Sequence, residues 1–340
     1  MSIRNVTRRS VLVGAGATLS GLASARLAWA QDGSQKPYTI YQITYRGETD
    51  VERGFADYMR QRGIPVEITQ RSAELDPSKV AGFVEEIHKL KPDLVYTWGT
   101  PVTIATYGKD TDVDPAKNIT QIPGVFTMVS APVAAGVVPS LASSGRNITG
   151  TSHVVPPEPQ IRAMQSYRPF KTLGVLYTPT EQNSVVIVAR LREIAKQMDF
   201  TLAERTFPVV DGKPSVETAA DLVHQLHQDG AEWLYYLPDT FLSTNIDKVA
   251  PVATELGIPG FSATELLKGD ALVSLISRYY SLGQLTAYKA EQILVEGVGP
   301  EDIPIETLKR FSLIINMPLA RKLKLYPPLA MLNYAEVITG

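Results

Sequence analysis

From Tyr38 onward, short β-rich runs alternate with stretches whose apolar residues recur at helical spacing, and the alternation starts over at Thr172. A chain of this kind must return each strand to the same sheet through a helix, so the pattern prescribes an α/β protein with parallel sheets. Strands are predicted at residues 39–45, 66–70, 94–98, 124–129 and 148–152. Val51, Phe55, Tyr58 and Met59 form one helical stripe between them, and Val80, Phe83, Val84 and Ile87 another. The second round has strands at 172–177, 201–207, 233–237, 260–262 and 271–276, with Ile187, Leu191, Ile194 and Met198 as a stripe and further helices around 216–226 and 246–256. Pro251 inside the last of these predicts a kink or a late start. Each round opens on a strand ending in tyrosine, Tyr45 or Tyr177, followed by a polar loop, an amphipathic helix and a second strand. The halves therefore read as two copies of one unit.

The first 30 residues have the layout of an export signal rather than of a domain. Arg4, Arg8 and Arg9 come first, a weakly apolar run over 11–25 follows, and Ala28-Trp29-Ala30 supplies the small-x-small pattern after which signal peptidases cut. The pair in Thr7-Arg8-Arg9-Ser10-Val11-Leu12 is similar to a twin-arginine signal. A membrane span needs about 20 apolar residues, and Arg26 ends this run early, so cleavage after Ala30 and a periplasmic location are expected. Cleavage removes four arginines and no acids, which turns 33 basic residues into 29 against 35 acidic ones, a formal charge of −6. That balance argues against nucleic acid as a partner. The absence of cysteine removes disulfides, thiolate nucleophiles and Cys-ligated metals together, so the fold must be held by its core.

Two Rossmann-like lobes of similar size imply a cleft onto which the strand ends of both lobes face. In open α/β sheets ligands bind outside the carboxyl ends of the strands, where loops and helix N-termini converge. Residues 95–103, VYTWGTPVT, are such a place: an apolar strand is cut off by Gly99-Thr100-Pro101, where a helical pattern begins. Met128-Val129-Ser130-Ala131-Pro132-Val133 is a second, with a hydroxyl and a proline ahead of a stretch predicted as helix. Thr100 and Ser130 are thus placed to hold a carboxylate beside free helix N–H groups. Tyr45, Trp98, Tyr177 and Tyr236 end strands and either stack a ligand or fill core.

Patterns of catalysis are incomplete. Gly14-Ala15-Gly16-Ala17-Thr18-Leu19 has the glycine density of a dinucleotide loop but no preceding strand, and it falls in the export signal. Gly260-Phe261-Ser262-Ala263-Thr264 approaches a nucleophile elbow, yet its last glycine is threonine and no histidine follows it in the chain. His224 and His227 are two imidazoles without further ligands and read as a solvated helix edge. Asn147-Ile148-Thr149 reads as a turn into a strand. No catalytic residue, cofactor or metal is assigned, and the chemistry is that of holding rather than reacting.

The chain also resembles the ABC transporter substrate-binding proteins of the tryptophan/tyrosine-type group. The resemblance rests on Gly99-Thr100-Pro101, Val125-Phe126 leading to Ala131-Pro132-Val133 and Gly136-Val137-Val138, and Gly145-Arg146-Asn147-Ile148-Thr149-Gly150. It continues through Gly174-Val175-Leu176-Tyr177, Glu181-Gln182-Asn183-Ser184, Pro238-Asp239-Thr240, Leu313-Ile314-Ile315-Asn316 and Pro327-Pro328. It implies a type I periplasmic binding protein: two lobes with parallel sheets joined by a three-strand hinge, here 38–150 plus 279–310 and 151–278 plus 311–340. The crossings would fall near 150–154, 275–278 and 312–317. In the family's known members an amino acid, often aromatic, sits between the lobes. Its carboxylate would meet positions matching Thr100, Ser130 and Ala131, and Asp239 is the candidate for its amino group. Tyr45, Arg46, Trp98, Tyr177, Asn183 and Ser262 complete the expected ligand-binding set. The loop Tyr45-Arg46-Gly47-Glu48-Thr49-Asp50 departs from the His-Pro-containing loop common in the family. The resemblance implies a monomer that delivers a small molecule to the membrane subunits of an ABC permease. A receptor that presents its ligand to a membrane sensor and an exported α/β enzyme are the alternatives.

Overall fold

The computed structural model describes residues 36–339, so the export signal read in residues 1–30 lies outside them. Among the described residues the strands form two large sheets and one small hairpin. The first sheet is wholly parallel in the order β2-β1-β3-β4-β5, with β1 at Tyr38–Thr44, β2 at Val66–Ser72, β3 at Leu94–Trp98, β4 at Gly124–Thr127 and β5 at Ile148–Gly150. After β6 (Thr172–Tyr177) and β7 (Thr201–Thr206) comes the hairpin of β8 (Val209–Val210) and β9 (Lys213–Pro214). Then follow β10 (Trp233–Tyr236), β11 (Gly260–Ser262), β12 (Val273–Ile276), β13 (Ser312–Asn316) and β14 (Glu336–Ile338).

The second sheet has the order β14-β13-β12-β11-β10-β6-β7, with only β13 antiparallel to a neighbour, β12. Its stretch β7-β6-β10-β11-β12 repeats the order of the first sheet, so the duplication read from the two tyrosine-ended strands is one of topology. Every predicted strand is present within two residues of its expected bounds.

The helices follow from local chemistry. α1 (Asp50–Arg62) starts at a capping box, in which the Thr49 hydroxyl accepts from the Val51 amide while Glu52 accepts from the Thr49 amide, and stops at Gly63 with φ 69°. α2 (Val80–Leu90) and α3 (Thr100–Tyr107) complete the first round. In the second lie α4 (Pro157–Tyr167), α5 (Gln182–Met198), α6 (Ala219–Gln228), α7 (Thr240–Thr244) and α8 (Ala250–Glu255). α8 starts late, with Pro251 as its second residue, as the ring requires. His224 and His227 are exposed on α6. Residues 131–138 are not the predicted helix. The Ala135 amide donates to the Ala131 carbonyl and the Val137 amide to that of Pro132, which closes turns that do not propagate.

The chain passes from the first sheet to the second after β5 and returns after β12 as α9 (Tyr279–Leu294), which lies against α1. It crosses again ahead of β13, not along 312–317, because Ser312–Asn316 is already paired to β12. Two separate cores result. One holds Ile40 to Ile148 and resumes with Tyr279, Leu282, Ala287 and Ala290; the other holds Ile161 to Val273 and resumes with Leu313 and Ile315.

Two glycines permit the α1–α9 contact. A Cβ on Gly54 would run into the Tyr280 carbonyl, and one on Gly283 into the carbonyl of Val51. Overpacking of this kind typically costs about 1–3 kcal/mol, against a helix-propensity gain of about 1 kcal/mol for Gly→Ala. Gly283→Ala and Gly54→Ala should therefore each lower stability in urea unfolding despite the better helix former. Unchanged or raised stability would contradict this helix crossing.

Candidate ligand-binding site

In the first sheet the connections from β1 and β3 leave in opposite directions, which opens a crevice at their carboxyl ends. Tyr45 and Arg46 follow β1 there, and Gly99 and Thr100 follow β3. Gly99 has φ 85°, a left-handed value that turns the strand directly into α3. The crevice opens into a small cavity between the two lobes. Tyr45, Arg46, Trp98, Thr100 and Ser130 line it from one side, and Asn183, Asp239 and Thr264 from the other. His153 and Tyr279, on the first two crossings, also line it. A larger outer space of about 1820 Å³ shares Tyr45, Thr100, Asn183 and Thr240 with it.

Four polar atoms of the cavity wall are buried without a partner: Arg46 Nε, Trp98 Nε1, Thr100 Oγ1 and His153 Nδ1. Such a group costs about 1–3 kcal/mol when left unsatisfied. Four around one cavity mark a surface built for partner atoms from outside the chain. The Arg46 guanidinium lies over the Trp98 ring, 5.5 Å from its centroid, and forms no ion pair among the described residues. The rest of its loop faces elsewhere: Glu48 is exposed, and Thr49 and Glu52 are spent on the α1 cap.

His153 is buried edge-on to Tyr279, with 6.5 Å between ring centroids, and burial pulls its imidazole down to about 3, so the ring is neutral at physiological pH. Burial pushes the Tyr279 hydroxyl up to about 12, and Thr264 shares a hydrogen with it.

The second lobe has its own switch point, between β6 and β10, and Asp239 fills it. The Asp239 carboxylate accepts from the Thr178 amide at 2.7 Å, the Thr178 hydroxyl at 2.9 Å, the Ser184 hydroxyl at 2.8 Å and the Leu242 amide at 2.8 Å. Four donors occupy its four lone-pair sites. The expectation of an open acceptor for a ligand's amino group is therefore not met by this geometry. Glu181 sits beside it and accepts from the Thr240 and Phe241 amides, both at 2.9 Å. Burial, then the nearby Asp239 charge, pushes Glu181 up to about 7.

Of the ten residues singled out in the sequence, Tyr45, Arg46, Trp98, Thr100, Ser130, Asn183 and Asp239 line the cavity. Ala131, Tyr177 and Ser262 do not. Tyr177 is packed into the second core; Ser262 donates to the Thr264 carbonyl at 2.7 Å and accepts from the Thr264 amide. Tyr236 is buried core. Sequence reasoning missed His153, Thr264, Tyr279 and Glu181. His153 follows the carboxyl end of β5, and the strand-end rule applied to that strand would have found it.

The family model for ABC transporter substrate binding proteins matches residues 43–338. The chain belongs to that family. A relative from Clostridioides difficile, described as a tyrosine-binding protein, is 26% identical over 324 residues, covering 92% of this chain and 88% of its own. A conserved domain protein from Vibrio cholerae superposes with a TM-score of 0.78 at 24% identity over 89% of this chain and 100% of that one. A protein from Streptococcus pneumoniae, solved in complex with L-Trp, gives 0.74 at 22% identity over 88% and 100%. At these identities the superpositions speak for the fold, which is that of a type I periplasmic binding protein.

Glu181 makes this substrate-binding protein's stability pH-dependent. In the unfolded chain the carboxyl loses its proton near its ordinary value of 4.5, whereas the folded one keeps it to about 7. Its contribution is complete below pH 4.5 and is lost as pH rises through 7. Urea unfolding should thus show stability falling between pH 5 and pH 8 by about 1–3 kcal/mol more in the wild type than in Glu181→Gln, which has no proton to lose. Parallel pH profiles for the two proteins would refute this assignment.

Proposed function

We propose that the protein captures a small carboxylate-bearing solute between its lobes and delivers it to the membrane subunits of an ABC permease. The observation that carries this reading is the convergence of four unpartnered buried polar atoms on one interlobe cavity. Family membership supports a binding role, and the relatives described with tyrosine and L-Trp make an amino-acid-sized aromatic solute the first candidate. The ligand would bind one lobe first and add contacts to the other, shifting the population toward a closed form that the permease recognises.

A thermal-shift screen against amino acids, aromatic acids and nucleosides tests the proposal, because a ligand that binds only the folded state raises its melting temperature. Stabilisation by carboxylate-bearing compounds and not by nucleosides is expected. Stoichiometric ligand should be recovered chemically unchanged, and its conversion would reverse the reading of a binding protein. Delivery to a permease also requires export, so the protein isolated from the periplasm should begin at Gln31. Full-length chain held in the inner membrane would contradict the cleavage.

Thr100 provides a sharper test. Gly99 is the N-cap of α3, and the Thr100 hydroxyl has no partner among the described residues, so Thr100→Ala takes no hydrogen bond from the fold. Losing a hydrogen bond to a charged group costs about 1.5–3 kcal/mol, which is roughly a ten- to hundredfold loss of affinity. Thr100→Ala and Ser130→Ala should show that loss in titration calorimetry, with stability unchanged within about 0.5 kcal/mol. Lower stability at constant affinity would assign these hydroxyls to the fold instead.

A further inference from the structure

We infer that the ligand for which this site is built carries a carboxylate and no α-ammonium group: an aryl-substituted carboxylic acid rather than a zwitterionic amino acid. The inference rests on the interlobe site proposed above and decides what its occupant's second end looks like.

The duplicated topology supplies the first argument. At the switch point of the second lobe the crevice already contains a carboxylate, that of Asp239, held by a strand-end amide, two hydroxyls and a helix-start amide. The first lobe repeats the strand order and presents the Thr100 hydroxyl at the start of α3 and the Arg46 guanidinium in the same cavity lining, and among the described residues it contributes no acid to that lining. One lobe carries its carboxylate covalently; the other is shaped to receive one.

The second argument is the balance of donors and acceptors. Arg46 Nε and Trp98 Nε1 are donors only, Thr100 Oγ1 can donate or accept, and His153 Nδ1, on a neutral ring, does one or the other according to tautomer, so the wall offers no charged acceptor among its unpartnered atoms. Trp98, Thr100 and His153 are more than nine-tenths buried, so water does not substitute freely for the missing partners. An ammonium would need acceptors, preferably a carboxylate. Among the described residues the one acid lining the inner cavity is Asp239, whose four lone-pair sites are filled. Glu181 faces the outer space and holds the α7 amides. An amino acid would therefore place its ammonium in a cavity shared with the Arg46 guanidinium, where the one lining carboxylate has no lone-pair site left to accept from it, an arrangement by which sites reject a competitor. Trp98, Tyr279 and the His153 ring supply flat walls for an aryl group.

Titration calorimetry at pH 7.5 with L-tyrosine, L-tryptophan, 3-(4-hydroxyphenyl)propionate and indole-3-propionate tests this, since each propionate keeps the ring and carboxylate of its amino acid and lacks the amine. Each propionate is expected to bind at least about tenfold more tightly than its amino acid, because an unpaired buried charge is penalised. Arg46→Gln should lower propionate affinity by about tenfold or more, with an unchanged melting temperature as the folding control. Arg46→Lys, which keeps the charge, should retain more of the affinity than Arg46→Gln, and this comparison still reads the guanidinium's role if the glutamine variant does not fold. An amino acid that binds as tightly as its propionate, or more tightly, overturns this inference and leaves the interlobe site standing. Failure of all four compounds to bind at millimolar concentration overturns the carboxylate reading of the site and this inference with it.

Discussion

Parallel strands can be joined only by crossovers, here mostly helical, so every parallel strand delivers its carboxyl end to one edge of its sheet and several helices begin there. That edge gathers unpaired amides and the positive ends of helix dipoles, and their charge has to be met. The second lobe meets it internally, with Asp239 and Glu181 accepting from the first amides of α7 and from Thr178 and Ser184. In the first lobe the same edge presents Thr100 Oγ1, Trp98 Nε1 and Arg46 Nε without partners among the described residues. The two lobes, alike in topology, thus differ in how far that edge is met from within.

Much of this was legible in the chain because period and punctuation are local properties. The alternation that restarts at Thr172 gave the strands, and Gly99-Thr100-Pro101 marked a strand-to-helix turn whose hydroxyl does face the cavity. The misreadings come from partners distant in sequence. Asp239 looked like an open acid, but its donors Thr178 and Ser184 lie 61 and 55 residues away, across the β6–β10 switch point. The proline after Ser130 resembled a helix start, whereas the following residues close only turns. Ser262 and Tyr177 sit at strand ends as expected, yet a turn and a core absorb their side chains. His153 had only its place after a strand end as a local sign, and its burial comes from packing with Tyr279, which is distant in sequence.

The cavity is bounded in part by the crossings themselves. His153 lies on the first and Tyr279 opens the helix after the second, and their rings pack nearly perpendicular to each other. Thr264, from the second lobe, ties to the Tyr279 hydroxyl. On the function proposed above, a ligand resting on these rings would touch the segments that join the lobes, and its occupancy would be coupled to their closure through the same side chains.

The glycine-lined contact of α1 with α9 also orders events in time. α1 is made early, yet the helix that covers it is formed by residues 279–294, and β13, which extends the second sheet beyond β12, comes later still. Neither lobe can therefore be completed during most of synthesis. A chain emerging from the ribosome carries two unfinished cores until residues 279–316 appear, and both are then closed by neighbouring segments within a short interval. Such late, long-range closure slows folding and leaves apolar surface waiting for its cover.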